Sequence, residues 1–437
     1  MTSAVVFSIP STPYNFTQYV DHFSTSQKTF NQRYYLNTTS FKGPGSPIIC
    51  IIGGEGGISP EAGIYYPSII LLAARLGAVI IEPEHRFFGT SMPEDDSRTL
   101  LTSSQALADT AFFIQSMQSQ FQCSGQNGQP RCPIITVGGS YPAWLSAMMR
   151  LRYPAIVDMA YAASPPMGFY SQSVDQYAYY KLVTESAEKA TAGCGNAVRN
   201  VLEATLAGAD KNAIITGLNL CTPLPPYIET GDGALLRDEI NMIVMYSFAD
   251  LNMGNWPPPD TRLKAACDNF VAAASGGGTN PYTTLSSFLT GYSSSTAGCY
   301  NLSSQLPAGP NATITSGDWS GVGTGNDGES WDLLTCQYLV ETIGTNSVTD
   351  MFLAREWTLD WLTLHCQNRF GLTPSPRTLP DTWGFDADTL PRVTSRIIFT
   401  NGLTDGWSAG GITTNLSDTL LAFNMIKGAH HSDLNHK

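Results

Sequence analysis

The segment Ile134-Ile135-Thr136-Val137-Gly138-Gly139-Ser140-Tyr141-Pro142 leads an apolar run through two glycines to a serine. Its β-branched start predicts a buried strand over Ile134 to Val137. Ala143 to Tyr153 follows, with Leu145, Met148, Met149 and Leu151 as the apolar positions of a helix. A strand that turns through a serine straight into a helix is the context of a sharp elbow that lifts the serine oxygen clear of a sheet. Small neighbours are needed because such a turn brings backbones close together. The usual pattern places glycine two residues after the serine, whereas this chain has Pro142. Proline fits a helix's first turn, where its missing N–H has no intrahelical partner.

Two later segments end the same way. Arg396-Ile397-Ile398-Phe399-Thr400-Asn401-Gly402-Leu403-Thr404-Asp405 is a predicted strand whose turn presents Asp405, and Phe423-Asn424-Met425-Ile426-Lys427-Gly428-Ala429-His430-His431 presents His430. Ser140, Asp405 and His430 thus follow one another in chain order, each just past a predicted strand. α/β-hydrolases place a nucleophile, an orienting acid and a general base in that order. Further strands are expected at Ile48 to Ile52, Ala78 to Glu82, Val157 to Ala163 and Leu420 to Ile426, and helices at Ser68 to Leu76 and Ser103 to Phe121. Strands alternating with helices are the grammar of a parallel α/β sheet.

From about Gly168 to about Asp386 that grammar stops. The stretch holds six of the nine cysteines and is rich in Gly, Ser and Thr, with helical patterns at Asn196 to Ala207 and Ala234 to Ala249. The expected organisation is an α/β-hydrolase domain over 1–167 and 387–437, interrupted by a helical, disulfide-bonded cap over 168–386. Patches at 272–279, 293–297 and 313–327 read as surface loops.

The formal charge of −13 disfavours nucleic acid and anionic membranes as partners. No apolar run approaches the ~18 residues of a bilayer span. Met1 to Pro10 lacks the pattern of a signal peptide, so secretion would mean that the peptide has been removed. Nine cysteines without a CxxC pair favour disulfides over metal or redox chemistry. Sequons at Asn15, Asn37, Asn301, Asn311 and Asn415 add to the expectation of a secreted or lysosomal/vacuolar glycoprotein. Cys50, inside an apolar run, suits a buried free thiol. No metal and no cofactor are expected.

Several further segments carry a family resemblance: Tyr19-Val20-Asp21-His22-Phe23, Phe30-Asn31-Gln32-Arg33-Tyr34-Tyr35, Gly53-Gly54-Glu55-Gly56, Glu84-His85-Arg86-Phe87-Phe88-Gly89, Gln105-Ala106-Leu107-Ala108-Asp109, Gly138-Gly139-Ser140-Tyr141, Asn401-Gly402 with Asp405 and Trp407, and Gly428-Ala429-His430-His431. The chain resembles the prolyl carboxypeptidase and dipeptidyl peptidase II family of serine peptidases, which includes acid prolyl endopeptidases. The resemblance implies cleavage after proline, less readily alanine, in acid, with proline-containing peptides as partners and a homodimer compatible with it. It implies Ser140, Asp405 and His430 as the triad, with His431 a structural neighbour and His85 a buried structural residue. The N–H groups of Tyr141 and of Gly54 are expected to form an oxyanion hole. Trp407, Trp144 and Glu55 are expected around the substrate pocket. The implied pairings are Cys123–Cys132, Cys194–Cys267, Cys221–Cys299 and Cys336–Cys366.

Two departures stand out. Relatives often continue His-His-Leu-Asp-Leu-Arg, where this chain reads His430-His431-Ser432-Asp433-Leu434-Asn435, and relatives carry a further C-terminal helix beyond the position of Lys437. The fold alone also admits an esterase or lipase, or a silent binding protein. The sequence does not decide between exopeptidase and endopeptidase.

Overall fold

The computed structural model describes residues 9–61, 63–94, 98–275, 280–292, 298–302 and 325–435. They are organised by one eight-stranded sheet, in the order β1 (Tyr14–Tyr19), β2 (Thr29–Asn37), β4 (Val79–Pro83), β3 (Ile48–Ile51), β5 (Ile134–Gly139), β6 (Met159–Ala163), β7 (Ile397–Gly402) and β8 (Leu420–Met425). β1 pairs antiparallel with β2, and β2 with β4; every other neighbouring pair is parallel. This is the α/β-hydrolase fold. β3 and β4 are buried at every residue, as parallel strands covered on both faces must be. The helix Ser103–Gln120 buries Leu107, Ala111, Ile114 and Met117 and is capped by the Thr102 side chain, which satisfies one of the helix's orphan N–H groups.

β1 and β2 are absent from the sequence reading, and the reason is chemical. Inward-facing positions on them carry Gln18 and Gln32, which interrupt hydrophobic alternation. Gln18 Nε2 donates to Gln32 Oε1 at 3.0 Å and to the Asp109 carbonyl at 3.1 Å. Gln32 Nε2 donates to the Glu84 carbonyl at 2.7 Å. Next to this network lies the fully buried Arg86, whose Nε and Nη2 each donate to Asp109 at 2.6 Å while Nη1 donates to the Val20 carbonyl at 2.9 Å. A buried guanidinium with both charge and donors satisfied ties the β1–β2 hairpin to the helix Ser103–Gln120.

Between β6 and β7 the chain builds a second hydrophobic core from helices that include Ala178–Ala190, Cys194–Leu206, Gly233–Met253, Arg262–Ser275 and Pro281–Tyr292, around Val183, Leu202, Ile243 and Phe248. The helix Gly233–Met253 runs past the expected Ala249 and is capped by Asp232, which accepts from the N–H groups of Ala234 and Leu235. The helix Asn326–Gln337 packs elsewhere: its Trp331, Leu333 and Leu334 join Tyr141 and Trp144 in the core under the sheet. The insertion therefore grips the catalytic layer as well as standing over it.

The disulfides are Cys123–Cys132, Cys194–Cys267, Cys221–Cys299 and Cys336–Cys366, and Cys50 is a buried free thiol. Asn15, Asn301 and Asn415 are exposed. The glycan expected at Asn37 is corrected by its burial: only 7% exposed, it ends β2 and accepts the Thr39 N–H through Oδ1. Asn311 lies outside the described residues. No helix among the described residues is long and apolar enough to cross a membrane.

Candidate active site

β5 ends in the elbow. Ser140 has φ +65° and ψ −130°, a left-handed backbone that a non-glycine residue adopts at a cost. Its N–H donates to the Ala163 carbonyl at 2.9 Å, and its carbonyl accepts from Ala143 and Trp144, so the strained turn is held from both sides. Pro142 explains the departure from the usual serine motif. Its backbone lies against Gly138 and its ring against Gly54, so neither glycine has room for a Cβ. The His431 ring covers Gly139, where a Cβ would meet it at 2.9 Å.

Asp405 and His430 come together past β7 and β8. The Thr404 N–H and Oγ1 donate to the Gly428 carbonyl at 3.1 and 2.7 Å. Gly402 sits so close to Gly428 and Ala429 that a side chain there would collide with them. The fully buried Asp405 accepts from the Trp407 N–H through Oδ1 at 3.1 Å, and its Oδ2 lies 2.6 Å from His430 Nδ1. His430 is 8% exposed, and its Nε2 is buried without a hydrogen-bond partner among the described residues. The rings of His430 and His431 lie 4.7 Å apart, and burial, with the charge of His430 second, lowers His431 to about 3. His431 is thereby kept neutral. The Ser164 hydroxyl accepts its N–H at 2.9 Å.

Ser140 opens onto a cavity of about 330 Å³. Trp407, Glu55, Tyr170, Tyr179, Tyr246, Trp331 and Glu341 are among its walls. Trp407 is wedged edge-on against Phe169 and Tyr179, at 5.2 and 4.9 Å between ring centroids. The wall position expected for Trp144 is corrected. It is fully buried below the cavity, stacked on Trp383 at 5.7 Å and edge-on to Tyr170 at 5.5 Å, so it supports a wall rather than forming one. His85 is buried, with Nδ1 2.7 Å from the Arg86 carbonyl and Nε2 3.1 Å from the Tyr141 hydroxyl; burial lowers it to about 4. Cys336, His365 and Cys366 cluster closely, but both sulfurs are spent in one disulfide, which leaves no thiolate pair for a metal.

Three supporting residues escaped the sequence reading because their partners are far away in the chain. Glu84 takes the Ile58 N–H at 2.9 Å and the Ser91 hydroxyl at 2.7 Å, fixing the loop that carries Gly54 and Glu55. Asp327 bridges that loop to its neighbour, accepting from the N–H groups of Gly57 and Gly89, each at 3.0 Å. Asn252, fully buried on the helix Gly233–Met253, donates to the Thr404 carbonyl at 2.7 Å and accepts the Gly406 N–H at 2.8 Å. It grips the turn of Asp405 from both sides. An acidic residue opening a helix and a lone helical asparagine carry no sequence signal for such roles.

The profile of the serine carboxypeptidase S28 family matches residues 18–437. The chain belongs to that family. Among curated relatives of this S28 peptidase, the lysosomal Pro-X carboxypeptidase of Mus musculus is 31% identical over 436 residues, covering 96% of this chain and 83% of that protein. The Homo sapiens protein of the same name is 31% identical over 443 residues, covering 97% and 83%. The thymus-specific serine protease of Mus musculus is 36% identical over 181 residues, covering 40% of this chain and 34% of that protein.

Replacing Asn252 by leucine leaves the Gly406 N–H unpaired, removes one of the two side-chain bonds to the Thr404 carbonyl and loosens the Asp405 turn. The S28 peptidase rate is expected to fall about ten- to a hundredfold, the scale of a misplaced catalytic group. Steady-state kinetics alongside a melting curve checks this; an unchanged kcat would remove Asn252 from the account.

Proposed function

We propose that this S28 peptidase cleaves the bond on the carboxyl side of proline, and less readily of alanine, through an acyl-enzyme on Ser140. One observation carries the reading: the sheet that ends β5 in a strained serine opening onto an aromatic cavity carries a buried Asp405–His430 pair at 2.6 Å past β7 and β8. Asp405 holds the imidazole with its Nδ1 proton towards the carboxylate, which leaves Nε2 free to act as the base. Nε2 takes the Ser140 proton as Oγ attacks the acyl carbon. The developing oxyanion lies against the N–H groups of Tyr141 and Gly54. Collapse of the tetrahedral adduct expels the amine, which leaves with the proton held on His430. Water then enters, is deprotonated by the same nitrogen, and releases the acid product.

Trp407 and the tyrosines beside it suit a compact, flat prolyl ring, which buries apolar surface without losing rotamer freedom. The names of the long relatives, Pro-X carboxypeptidases of lysosomes, support the proline preference and an acidic setting. Four disulfides fit a secreted or lysosomal/vacuolar location. The test is mass spectrometry of products from one proline-containing peptide, with free and with blocked ends, at about pH 5, below the ordinary histidine value. Cleavage after proline that disappears in Ser140→Ala is expected. No cleavage of either peptide would overturn the reading in favour of an esterase.

The buried titratable groups also set a pH window for the fold. Burial raises Glu82 from 4.5 to about 7, and burial, with the charge of Glu55 second, raises Glu341 to about 8. Each contributes stability that is complete below its unfolded value and lost as pH rises through the folded one. Burial lowers His85 from 6.5 to about 4 and His431 to about 3. Each of these contributes stability that is complete above its unfolded value and lost as pH falls. The two pairs offset between pH 4.5 and 6.5. The melting temperature is therefore expected to peak in that range, and Glu82→Gln to flatten its alkaline limb. A melting temperature still rising at about pH 8, where Glu82 has ionised and Glu341 is losing its proton, would contradict this.

A further inference from the structure

The helix Gly233–Met253 ends at the cavity, and its last two residues hold a single turn of chain. Asn252 takes the backbone of that turn, at the Thr404 carbonyl and the Gly406 N–H. Met253 takes its side chain: the indole Nε1–H of Trp407 donates to Met253 Sδ at 3.3 Å. The same turn carries Asp405, whose Oδ1 accepts the Trp407 N–H, and the Trp407 ring lies 6.3 Å from the His430 ring between centroids. A thioether is a weak acceptor, so this bond adds little stability. What it does is fix where the edge of a cavity wall points.

The sulfur of Met253 is also the one that small reagents can reach from the cavity. Met242, Met245 and Met253 all line it among the described residues. Met242 and Met245 are 2% and 3% exposed, whereas Met253 is partly exposed. Thiol chemistry is closed by comparison: Cys50 is fully buried, and the other cysteines are paired in disulfides. Any opening that admits a peptide to Ser140 admits an oxidant the size of a water molecule.

Resting on the peptidase reading above, we propose that Met253 is an oxidation site through which peroxides lower the activity of the enzyme. The sulfur lone pair attacks one oxygen of hydrogen peroxide, the S–O bond forms as the O–O bond breaks, and water leaves with both protons. The thioether is oxidised to a sulfoxide and the peroxide is reduced, which turns a flexible apolar side chain into a polar one. The geometry does not accommodate that product. An N–H···O bond needs about 2.9 Å from nitrogen to oxygen, and 3.3 Å separates Nε1 from Sδ before any oxygen is added between them. Indole and sulfur must move apart. Phe169 and Tyr179 stand edge-on to the Trp407 ring at 5.2 and 4.9 Å, so the ring cannot yield freely on those sides. The displacement passes to the turn that Asn252 holds and Asp405 occupies.

The test follows turnover of a proline peptide and a mass-spectrometric map of sulfoxides together during titration with hydrogen peroxide. A fall in kcat/KM of about tenfold or more is expected, in step with sulfoxide at Met253, the scale of a shifted catalytic group. A methionine sulfoxide reductase with a thiol reductant should restore the rate. In Met253→Leu, the ratio of treated to untreated rate should stay near one. Full sulfoxide at Met253 with unchanged turnover would overturn the proposal. So would an unoxidised Met253 at a dose that oxidises Met92, which is 37% exposed, or an equal loss in Met253→Leu. The first two comparisons use the unmodified protein and do not depend on how the variant folds. Turnover before peroxide reports separately on the peptidase reading; if that reading fails, the rate of fluorophosphonate labelling at Ser140 serves as the readout of oxidation.

Discussion

Backbone crowding at the carboxyl edge of the sheet is the constraint on which the site depends. Gly138 and Gly139 end β5 with no space for side chains, because Pro142 fills one side and the His431 ring the other. Gly402 at the end of β7 meets Gly428 and Ala429 in the same way. These approaches shape the ends of β5, β7 and β8, which lead into a strained serine, a buried aspartate and a histidine. A methyl group at Gly138 or Gly402 would meet backbone, and one at Gly139 the His431 ring, collisions that a close-packed interior does not absorb.

The insertion belongs to this machinery and is more than a cover. Asn252 reaches from its second core to hold the Asp405 turn, and Ser186 adds a hydroxyl bond to the Thr404 carbonyl at 2.7 Å. Asp327 bonds two loop amides from the opposite side. Such bonds fix catalytic groups only if the elements carrying them are themselves rigid. The Cys194–Cys267 bridge links two of the helices that pack around that second core. It closes a long loop, the case in which a cross-link removes most unfolded-state entropy.

Much of the fold was legible because its signals are local. The central strands are short apolar runs bounded by glycine or proline, and Ser140, Asp405 and His430 each follow one. The antiparallel edge was missed because Gln18 and Gln32 occupy inward positions, where hydrogen bonds to Asp109 and Glu84 replace apolar contact. Trp144, expected around the pocket from the family resemblance, instead packs its ring inward, edge-on to Tyr170. Asn37 carries a sequon, yet it closes a strand that buries it. Glu341 was invisible since a glutamate in a loop is ordinarily solvated; only the fold encloses it. In each case the deciding partner is distant in sequence.

The central claim is that Ser140 is the residue made nucleophilic by Asp405 and His430. Its most direct test is to react the folded protein with a fluorophosphonate and map the adduct by peptide mass spectrometry. A single phosphonylated residue at Ser140, with labelling slowed by several orders of magnitude in His430→Ala, is the expected result. An adduct on another serine, or labelling of Ser140 that proceeds unchanged without His430, would contradict the account.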